Sequence, residues 1–490
     1  MDCRTPQNEE IVRGDQPVGD SAGALLHNAQ PAPCGKIVEL GGIFVGNVRH
    51  LWPRLPAWLD ELRDTRFQPF VEYGKQFLFW ESLLLFAFEL SSRRQIDYDI
   101  REMEGAMLEN MNRLAGCRQK SLPVHDTVEH LLVHHMGLPA VLNVQAQMVR
   151  ALIRDKVLDA CRILSYWLMI AIDGTGYVSF RMRHCPRCLK FRTADGIRYR
   201  HHVLEAKIVG PGGLAISIAS EMIENPEGQT EEDYEKNKQD CELKAFHRLA
   251  KRLDELYPRQ PICLLGDAMF ACGPAITTCN EHDWKYVFTF KRGRTPALWD
   301  DFISLQAESP QNSRHRESGD TTFCYQWVNA LHHDDSDGRH HEPNALQVHE
   351  RTQDKQTTFA WITNLPLNKD TVIPIAAQGG HGRWIIENQG FNYQKNSGLN
   401  MEHAYSHHLD GLKIFYTLLQ IAHMIMQFTI KSSPLKKLAQ RYGKQTAVLL
   451  FGSLKNIPKF LLDCFRYFRI PDAAFDPDAA RRFQLRLETS

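Results

Sequence analysis

The spacing of apolar and polar positions divides the chain into five successive regions. Residues 35–155 carry apolar side chains at helical spacing with few β-branched residues, which predicts a helical module. In residues 160–295, short apolar runs bounded by turn residues predict buried strands around one long amphipathic helix. Residues 296–380 alternate polar loops with short strand candidates and predict a β-rich insertion, whereas 381–430 returns to a helical pattern. The polar residues 1–34 predict a disordered tail.

The last region, residues 431–490, is predicted to be helical and basic. Between positions 431 and 469, nine Lys or Arg residues stand against one acid, Asp463, with aromatic residues between them. This pattern is typical of a DNA-binding surface, although an ordinary solvated surface explains any single residue equally well. The longest apolar run, residues 414–430, is interrupted by polar side chains and predicts a buried helix rather than a membrane span.

Composition changes this picture little. Lys plus Arg equals Asp plus Glu, at 58 each, so the net charge indicates no partner, although local basic surfaces remain possible. Twelve cysteines are scattered through the chain, several within apolar runs, which indicates a reducing cytosol rather than a disulfide framework. The N-terminus has no hydrophobic signal core. We therefore expect a cytoplasmic protein that does not enter a membrane.

The order of the predicted strands indicates the fold class. Three strands, a helix, a fourth strand, a helical turn and a fifth strand follow one another, and the run GPGG at 210–213 predicts a hairpin between the second and third strands. In the ribonuclease-H-like fold, which has this order, the first and fourth strands are parallel neighbours. The prediction is an α/β protein. Its core is a ribonuclease-H-like mixed five-stranded sheet flanked by helices, with the β-rich insertion, the helical N-terminal module and the helical basic C-terminal region attached.

Two aspartates are predicted at one edge of this sheet. Asp173 ends the first strand and Asp267 ends the fourth, and ligands of such sheets gather at the carboxyl ends of the strands. Like charges held together repel unless a proton or a cation lies between them, and Mg²⁺ prefers oxygen ligands. Glu387 supplies a third carboxylate, and Arg383 lies one helical turn before it on the same face. Three such acids predict a site for two Mg²⁺ ions that supports phosphoryl transfer.

Each acid also has a purely structural interpretation. Asp173 precedes Gly-Thr-Gly and suits a turn, and Asp267 suits a helix cap. Glu387 suits an ion pair with Arg383 on a solvated face. Taken singly, each structural role explains its residue at least as well as a catalytic one, but the strand order favours catalysis for the set.

Other acids compete for the third position. Glu224, at the end of the third strand, is the main rival to Glu387. Asp240 and Glu242 belong to the long helix, where we expect them to pair with Lys238 or Lys244 on the surface.

A second metal site is suggested by the run HCPRC. Cys185 and Cys188 form a CxxC, and His201 follows on the next strand, so a hairpin would bring together a set that suits zinc. One CxxC is a weak signal, and ordinary reduced cysteines are the alternative. The same stretch is rich in arginine and would also suit a path along DNA.

Three stretches then resemble a known family. AIDGTGY, CLLGDAMFA and GRWIIENQGFNYQKN…EHAY are similar to the three acidic motifs of DDE-type transposases of bacterial insertion sequences, in the retroviral-integrase superfamily. SEMIEN and KQDCELKAFHRL resemble stretches that these transposases carry between the first two motifs, and the resemblance covers about residues 166–412. It implies a β-rich insertion before the last acid. It also implies that Asp173, Asp267 and Glu387 bind Mg²⁺, for which Mn²⁺ substitutes.

The resemblance also implies the reaction and the partners. It implies cleavage at the terminal inverted repeats of an element, followed by joining of the freed 3′-hydroxyl ends to target DNA. The partners would be double-stranded DNA and, in the DNA complex, a second copy of the chain; the location would be a bacterial cytoplasm, associated with the nucleoid. Related families carry a Tyr, Arg, Glu, Lys signature, which Arg383 and Glu387 match. Gly380 stands where the tyrosine would be, and Lys395 lies one position later than the lysine.

Basic and amide side chains near these motifs are candidate DNA contacts. They are Arg383, Asn388, Lys395, and, in the run KRGR, Lys291, Arg292 and Arg294. Contacts of this kind with phosphates make binding fall steeply with salt. Two alternatives remain open, namely a catalytically inactive DNA-binding relative and a structure-selective nuclease on the same fold. The three acids disfavour the first, and the helical and basic terminal regions favour transposition over the second.

Overall fold

The computed structural model describes residues 34–100, 104–194, 196–226, 228, 239–335 and 337–476. Its architecture is a large mixed sheet flanked by helices, as the α/β prediction requires. The predicted tail, apart from Cys34, lies outside the described residues, and so does the chain after 476.

Helices of the N-terminal region precede the sheet. They are α1 (Gly35–Leu51), α2 (Leu55–Asp60), α3 (Lys75–Ala87), α4 (Arg94–Asp99), α5 (Glu104–Ala115), α6 (His125–His130) and α7 (Leu138–Arg154). Three more lie between strands: α8 (Glu242–Leu256), α9 (Gly273–Glu281) and α10 (Pro296–Glu308). A helix of mixed α, 3₁₀ and π turns, called here the 372–396 helix, follows the last strand. The chain ends in α11 (Leu409–Ile430), α12 (Ser433–Arg441), α13 (Ala447–Phe451) and α14 (Asn456–Tyr467).

The strands form one main sheet and a small two-stranded one. The main sheet contains β1 (Arg162–Ile163), β2 (Trp167–Phe180), β3 (Leu189–Thr193), β4 (Gly196–Gly210), β5 (Leu214–Ile223), β6 (Ile262–Gly266), β7 (Lys285–Thr289), β8 (Ser313–Ser318), β9 (Thr321–Val328), β12 (Asn344–Arg351) and β13 (Gln356–Thr363). The small sheet pairs β10 (His333–Asp334) with β11 (His340–His341).

The centre of the main sheet positions the site. β2 lies between β4, which is antiparallel to it, and β6, which is parallel, and β7 continues in parallel beyond β6. β5 pairs with the other edge of β4 through the predicted glycine hairpin, where Gly212 and Gly213 have positive φ. The order of these strands across the sheet is therefore β5-β4-β2-β6-β7.

The sheet is larger than the five strands predicted. It has eleven strands within the described part of the chain. β13 pairs antiparallel with the outer edge of β7 and carries β12, β9 and β8 with it, and the short strands β1 and β3 pair with β2 and β4. A free edge exposes unpaired backbone groups, and the insertion provides partners for them. Trp361 of β13 and Val287 of β7 are buried in the same apolar cluster, so pairing also buries side chains. The β-rich insertion thus extends the central sheet.

Two element boundaries differ from the sequence predictions. β2 does not end at Asp173 but runs on to Phe180, because the long strand β4 supplies a hydrogen-bonding partner as far as Tyr199. The amphipathic helix begins at Glu242, with Cys241 in an extended conformation before it. The part of this predicted helix from 229 to 238 lies outside the described residues.

The terminal helices pack together around α11, which is buried along nearly its whole length. Phe44 of α1 and Phe465 of α14 meet edge to face with ring centroids 6.1 Å apart. The Asn110 amide on α5 donates to the carbonyl of Phe465 over 3.2 Å. The N-terminal helices and the described part of the C-terminal region, residues 431–476, therefore share one apolar core. No helix in the described residues is long and apolar enough to cross a membrane.

Candidate active site

The two predicted aspartates lie side by side at one end of the parallel strands. Ala171 of β2 pairs with Leu265 of β6, and each aspartate lies two residues beyond its paired position. Asp267 directly follows Gly266, the last residue of β6, and it is close enough to Asp173 for its charge to raise the pKa of that residue. Asp267 also shapes the turn after β6, because its Oδ1 accepts a hydrogen bond from the Met269 amide over 2.9 Å.

Glu387 reaches this edge from the 372–396 helix. It lies in a π turn, Ile386–Asn392, of the kind often found at functional sites. Gly380 lets this helix approach the sheet closely, because any side chain at that position would come within 2.2 Å of the Trp361 ring. Ile386 is fully buried and fixes the same turn against the core. Glu387 itself is 47% exposed and lies at the entrance of the site.

Arg383 connects the acids. Its Nη1 lies 2.6 Å from Glu387 Oε1 and 3.9 Å from Asp173 Oδ2. The residue is 9% exposed, and its Nε is buried without a hydrogen-bond partner among the described residues. The ion pair predicted between Arg383 and Glu387 is present; its glutamate is exposed as predicted, and its arginine is buried beside Asp173. The structural and catalytic interpretations of Glu387 are therefore compatible.

Electrostatics indicate that the three acids share one site. The pKa of Asp173 rises from 3.8 to about 7, first because the residue is buried and next because Glu387 is close. Asp267 raises this pKa further, whereas Arg383 and the Gly174 amide, which donates to Asp173 Oδ1 over 3.0 Å, lower it. Carboxylates from three distant parts of the chain therefore influence one another electrostatically.

A fourth acid, Glu242, lies close to these residues. The prediction that it pairs with a lysine on the surface is wrong. A side chain at Gly174 would lie 2.2 Å from Glu242 Oε1, so the Glu242 carboxylate occupies the space that this glycine leaves open. Burial and then the charge of Asp267 raise the pKa of Glu242, and Arg200 lowers it. The signal available in the sequence was the glycine directly after Asp173, which permits a close approach.

The other competing acids are occupied elsewhere. Asp240, expected to pair with a lysine, instead lies 2.6 Å from Arg248. Glu224 is 2.9 Å from Lys413 and 3.6 Å from Arg187. The structure gives the main rival of Glu387 cationic partners of its own.

Lys395 lies at the rim of the site. Its Nζ is 3.0 Å from Glu402 Oε1. The pKa of His202 falls to about 4 because of burial, Arg200 and Lys395, and His202 Nε2 is 3.7 Å from Glu242 Oε1. Gln394, where the family signature places lysine, is fully buried and donates to Gln420 over 2.8 Å.

The remaining predicted DNA contacts are exposed. Asn388 is next to Glu387, and Lys291, Arg292 and Arg294 follow β7. Arg294 Nη2 donates to the carbonyl of Met269 over 3.4 Å, which places this basic turn beside the turn of Asp267. Arg292 lies 3.2 Å from Asp300 on α10, so part of its charge is neutralised.

The predicted zinc ligands are also brought together. Cys185, Cys188 and His201 place their Sγ and Nε2 atoms 3.4 or 3.5 Å apart. This cluster differs from the acid site in its ligand atoms. Sulfur and imidazole nitrogen suit zinc, whereas carboxylate oxygens suit magnesium.

The acid site has the chemistry of a magnesium site. Its donors are carboxylate oxygens, the ligands that Mg²⁺ prefers, on strand β2, on the turn after β6 and on two helices. The pKa of Asp173 is raised first by burial and then by the charges of Glu387 and Asp267, and Arg383 only partly offsets the repulsion between these acids. A divalent cation would relieve it, so the residues fit the metal.

Comparisons with known proteins add little to this geometry. No protein-family model matches the chain, and no curated protein shows significant sequence similarity to it. Among solved structures, a piggyBac transposase synaptic complex with hairpin DNA matches with a TM-score of 0.35 and 11% identity, over 92% of this chain and 81% of that one. The NurA nuclease from Sulfolobus solfataricus matches with a TM-score of 0.23 and 10% identity, over 52% of this chain and 95% of that one. Scores this low do not establish a common fold.

Proposed function

We propose that this chain is a transposase that cleaves DNA at the ends of a mobile element and transfers the freed 3′-hydroxyl ends to target DNA. One observation carries the proposal. Asp173 and Asp267 each lie two residues beyond a paired position of the parallel strands β2 and β6, and the pKa of Asp173 rises to about 7, first because of burial and then because of the charges of Glu387 and Asp267. The same three acids stand in the three sequence stretches that resemble the acidic motifs of DDE-type transposases.

The proposed catalytic core is ribonuclease-H-like. The core strands lie across the sheet in the order β5-β4-β2-β6-β7. Numbered along the chain, these are the third, second, first, fourth and fifth strands of the core. The first three are antiparallel, and the first and fourth are parallel, as that fold requires. The insertion β8–β13 precedes the third acid in the chain, as the resemblance implies.

Each acid has a defined role in the proposed reaction. Asp173 and Asp267 would hold Mg²⁺ from the sheet, and Glu387 would complete the site from the 372–396 helix. When bound, two such ions activate the attacking oxygen and stabilise the leaving one, and Mn²⁺ substitutes for Mg²⁺. Arg383 would orient Glu387 through their 2.6 Å contact, and its Nη1 lies 3.9 Å from Asp173 Oδ2. Glu242 adds a fourth carboxylate, which fills the space at Gly174 and is close enough to Asp267 for that charge to raise its pKa.

The proposed partner is double-stranded DNA, both as terminal inverted repeats and as target. Lys291, Arg292 and Arg294, beside the turn of Asp267, would contact phosphates, and Asn388 and Lys395 would do so near Glu387. Binding should therefore weaken steeply with salt, and replacing Lys291 by Gln should lower the salt slope by about 1. Because two element ends are joined in one reaction, the active species would be at least a dimer on DNA.

The decisive experiment is cleavage and joining of labelled DNA. Purified protein is incubated with Mg²⁺ or Mn²⁺ and a duplex carrying the inverted repeats that flank its coding sequence. We expect nicking at the repeat boundary and joining to a plasmid target, both lost in Asp173→Asn, Asp267→Asn and Glu387→Gln. Asp301→Asn, an exposed aspartate on α10, is the matched control and should retain activity.

Each alternative outcome has a distinct meaning. Specific binding of the repeats without cleavage would identify an inactive DNA-binding relative. Cleavage of branched or single-stranded DNA, without joining, would identify a nuclease. Undiminished cleavage by any one acid variant would remove that residue from the site. Glu387→Gln compared with Glu242→Gln would show which helix supplies the third essential carboxylate.

A further inference from the structure

A cluster of sulfur and imidazole groups lies where the β2–β3 connection faces β4. Cys185 and Cys188 are joined by a tight turn, in which the Cys188 amide donates to the Cys185 carbonyl over 3.3 Å. The facing residue, His201 of β4, is 2% exposed. His184 immediately precedes the turn, and its ring stacks on Phe180 at the end of β2 with centroids 4.4 Å apart.

The distances within the cluster match a tetrahedral zinc site. Cys185 Sγ and Cys188 Sγ are 3.5 Å apart, and each lies 3.4 Å from His201 Nε2. Ligands bound to zinc at about 2.3 Å for sulfur and about 2.05 Å for nitrogen, in tetrahedral geometry, stand about 3.8 Å (S to S) and about 3.6 Å (S to N) apart. Both cysteines are free, and their sulfur atoms are well beyond the distance of about 2 Å that a disulfide requires.

His184 is the candidate for the fourth ligand. Ligand atoms of His184, Cys185 and His201 all lie within 4.8 Å of one another. His184 Nδ1 is buried and has no hydrogen-bond partner among the described residues, which is costly unless something binds it. Two cysteines and two histidines make a closed set of the kind found in structural zinc sites.

The surroundings orient the ligands as a zinc site requires. Since His201 presents Nε2 to the two sulfurs, its Nδ1 faces Glu224, whose Oε1 is 3.9 Å away, buried and without a hydrogen-bond partner in the described chain. A carboxylate behind the second ring nitrogen is the usual arrangement for a zinc-bound histidine. Asn225, 1% exposed, donates to the Cys188 carbonyl over 3.0 Å and fixes the turn to the end of β5.

We propose that His184, Cys185, Cys188 and His201 bind one structural zinc ion that fastens the β2–β3 connection to β4. The site is independent of the proposed catalytic metal ions and would exist whether or not the chain is a transposase. The cluster is adjacent to the acid site, because His202, the residue after His201, lies 3.7 Å from Glu242. Zinc would therefore hold the strand that limits one side of the acid site.

The test is the metal content and spectrum of the full chain. Protein purified without chelators should contain about one zinc per chain by mass spectrometry of the metal. Replacement of zinc by Co²⁺ should give the intense visible bands of a tetrahedral site together with a thiolate charge-transfer band. Both signals should disappear in Cys185→Ser and Cys188→Ser and weaken in His184→Asn.

A matched control is available on β9 and β8. Cys324 Sγ lies 4.0 Å from His315 Nε2, a cysteine–histidine pair without a second cysteine, and Cys324→Ser should keep the zinc. Removing zinc with a strong chelator should lower the melting temperature of the wild type by about 5 °C and leave Cys185→Ser unchanged.

Two results would overturn the proposal. One is zinc below about one tenth of an ion per chain in protein from zinc-supplemented cells. The other is a Co²⁺ spectrum without tetrahedral bands. Both are measured on the wild type, so a variant that fails to fold does not affect them. Loss of DNA cleavage plays no part in the test, which keeps it separate from the fate of the proposed reaction.

Discussion

Replacing Asp173 by asparagine should stabilise the metal-free protein while abolishing the proposed activity. The folded protein holds a proton on Asp173 up to about pH 7, whereas the unfolded chain loses it near pH 3.8. The folded state therefore binds more protons in this window, and its stability falls as the pH rises through it. Asparagine is the same size as the neutral carboxyl group and avoids this loss.

The magnitude follows from the shift. About 3 pKa units at about 1.4 kcal/mol each give about 4 kcal/mol at pH 8. The gain should shrink to about 1.5 kcal/mol at pH 5 and vanish below about pH 4, where both states of the wild type are protonated. The amide oxygen of the Asp173→Asn variant would still accept the hydrogen bond from the Gly174 amide, whereas the ion pair with Arg383 Nη1 at 3.9 Å would be lost, a loss already contained in the net pKa shift.

The assay is urea unfolding of both proteins in EDTA at pH 8, 5 and 4. Adding Mg²⁺ should stabilise the wild type and not Asp173→Asn, because bound ligand adds to the free energy of unfolding. Asp301→Asn serves as the control for a change of net charge. Equal stability of Asp173→Asn and wild type at pH 8, or a gain independent of pH, would refute the crowded-acid interpretation of the site.

Three further substitutions address the surroundings of Asp173. Gly174→Ala should push the Glu242 carboxylate aside and slow cleavage at least about tenfold with little loss of stability, as kinetics and melting would show together. Arg383→Gln removes a charge that lowers the pKa of Asp173, so the pH for half-maximal cleavage should move upward by about 1 unit, whereas Arg383→Lys should leave it near the wild-type value. Lys207→Met strands the fully buried Glu205, 3.2 Å from Lys207 Nζ, and should cost about 3 kcal/mol in urea unfolding, part of which Glu205→Gln in the same chain should restore.

Local patterns in the sequence predicted the elements that carry the acids. The glycine hairpin, the buried run at 414–430 and the i, i+4 pair of Arg383 and Glu387 all depend on residues close together in the chain. The placement of Asp173 beside Asp267 followed from strand order, and the parallel pairing of β2 with β6 provides it.

Features that depend on distant partners were missed. The extension of the sheet by β13 depends on a free edge that no local pattern reveals. The contact of Glu242 with Gly174 joins positions 68 residues apart, and on its own helix Glu242 resembles any acid in a first turn. The imidazole of His184 was overlooked because its role depends on the fold of the connection and not on the CxxC spacing.

The polar side chains of α11 determine where the third acid stands. Gln427 bonds the backbone of Ala215 on β5 through both its oxygen and its nitrogen, and Gln420 accepts from Lys207 of β4 over 2.6 Å. Gln420 also bonds Gln394, at the end of the 372–396 helix. These hydrogen bonds hold α11 in a fixed position on the sheet. They also connect the segment that carries Glu387 to the same hydrogen-bond network. The spacing of the acids is therefore set by hydrogen bonds in the interior of the protein. Sequence changes in surface loops should leave that spacing unaltered.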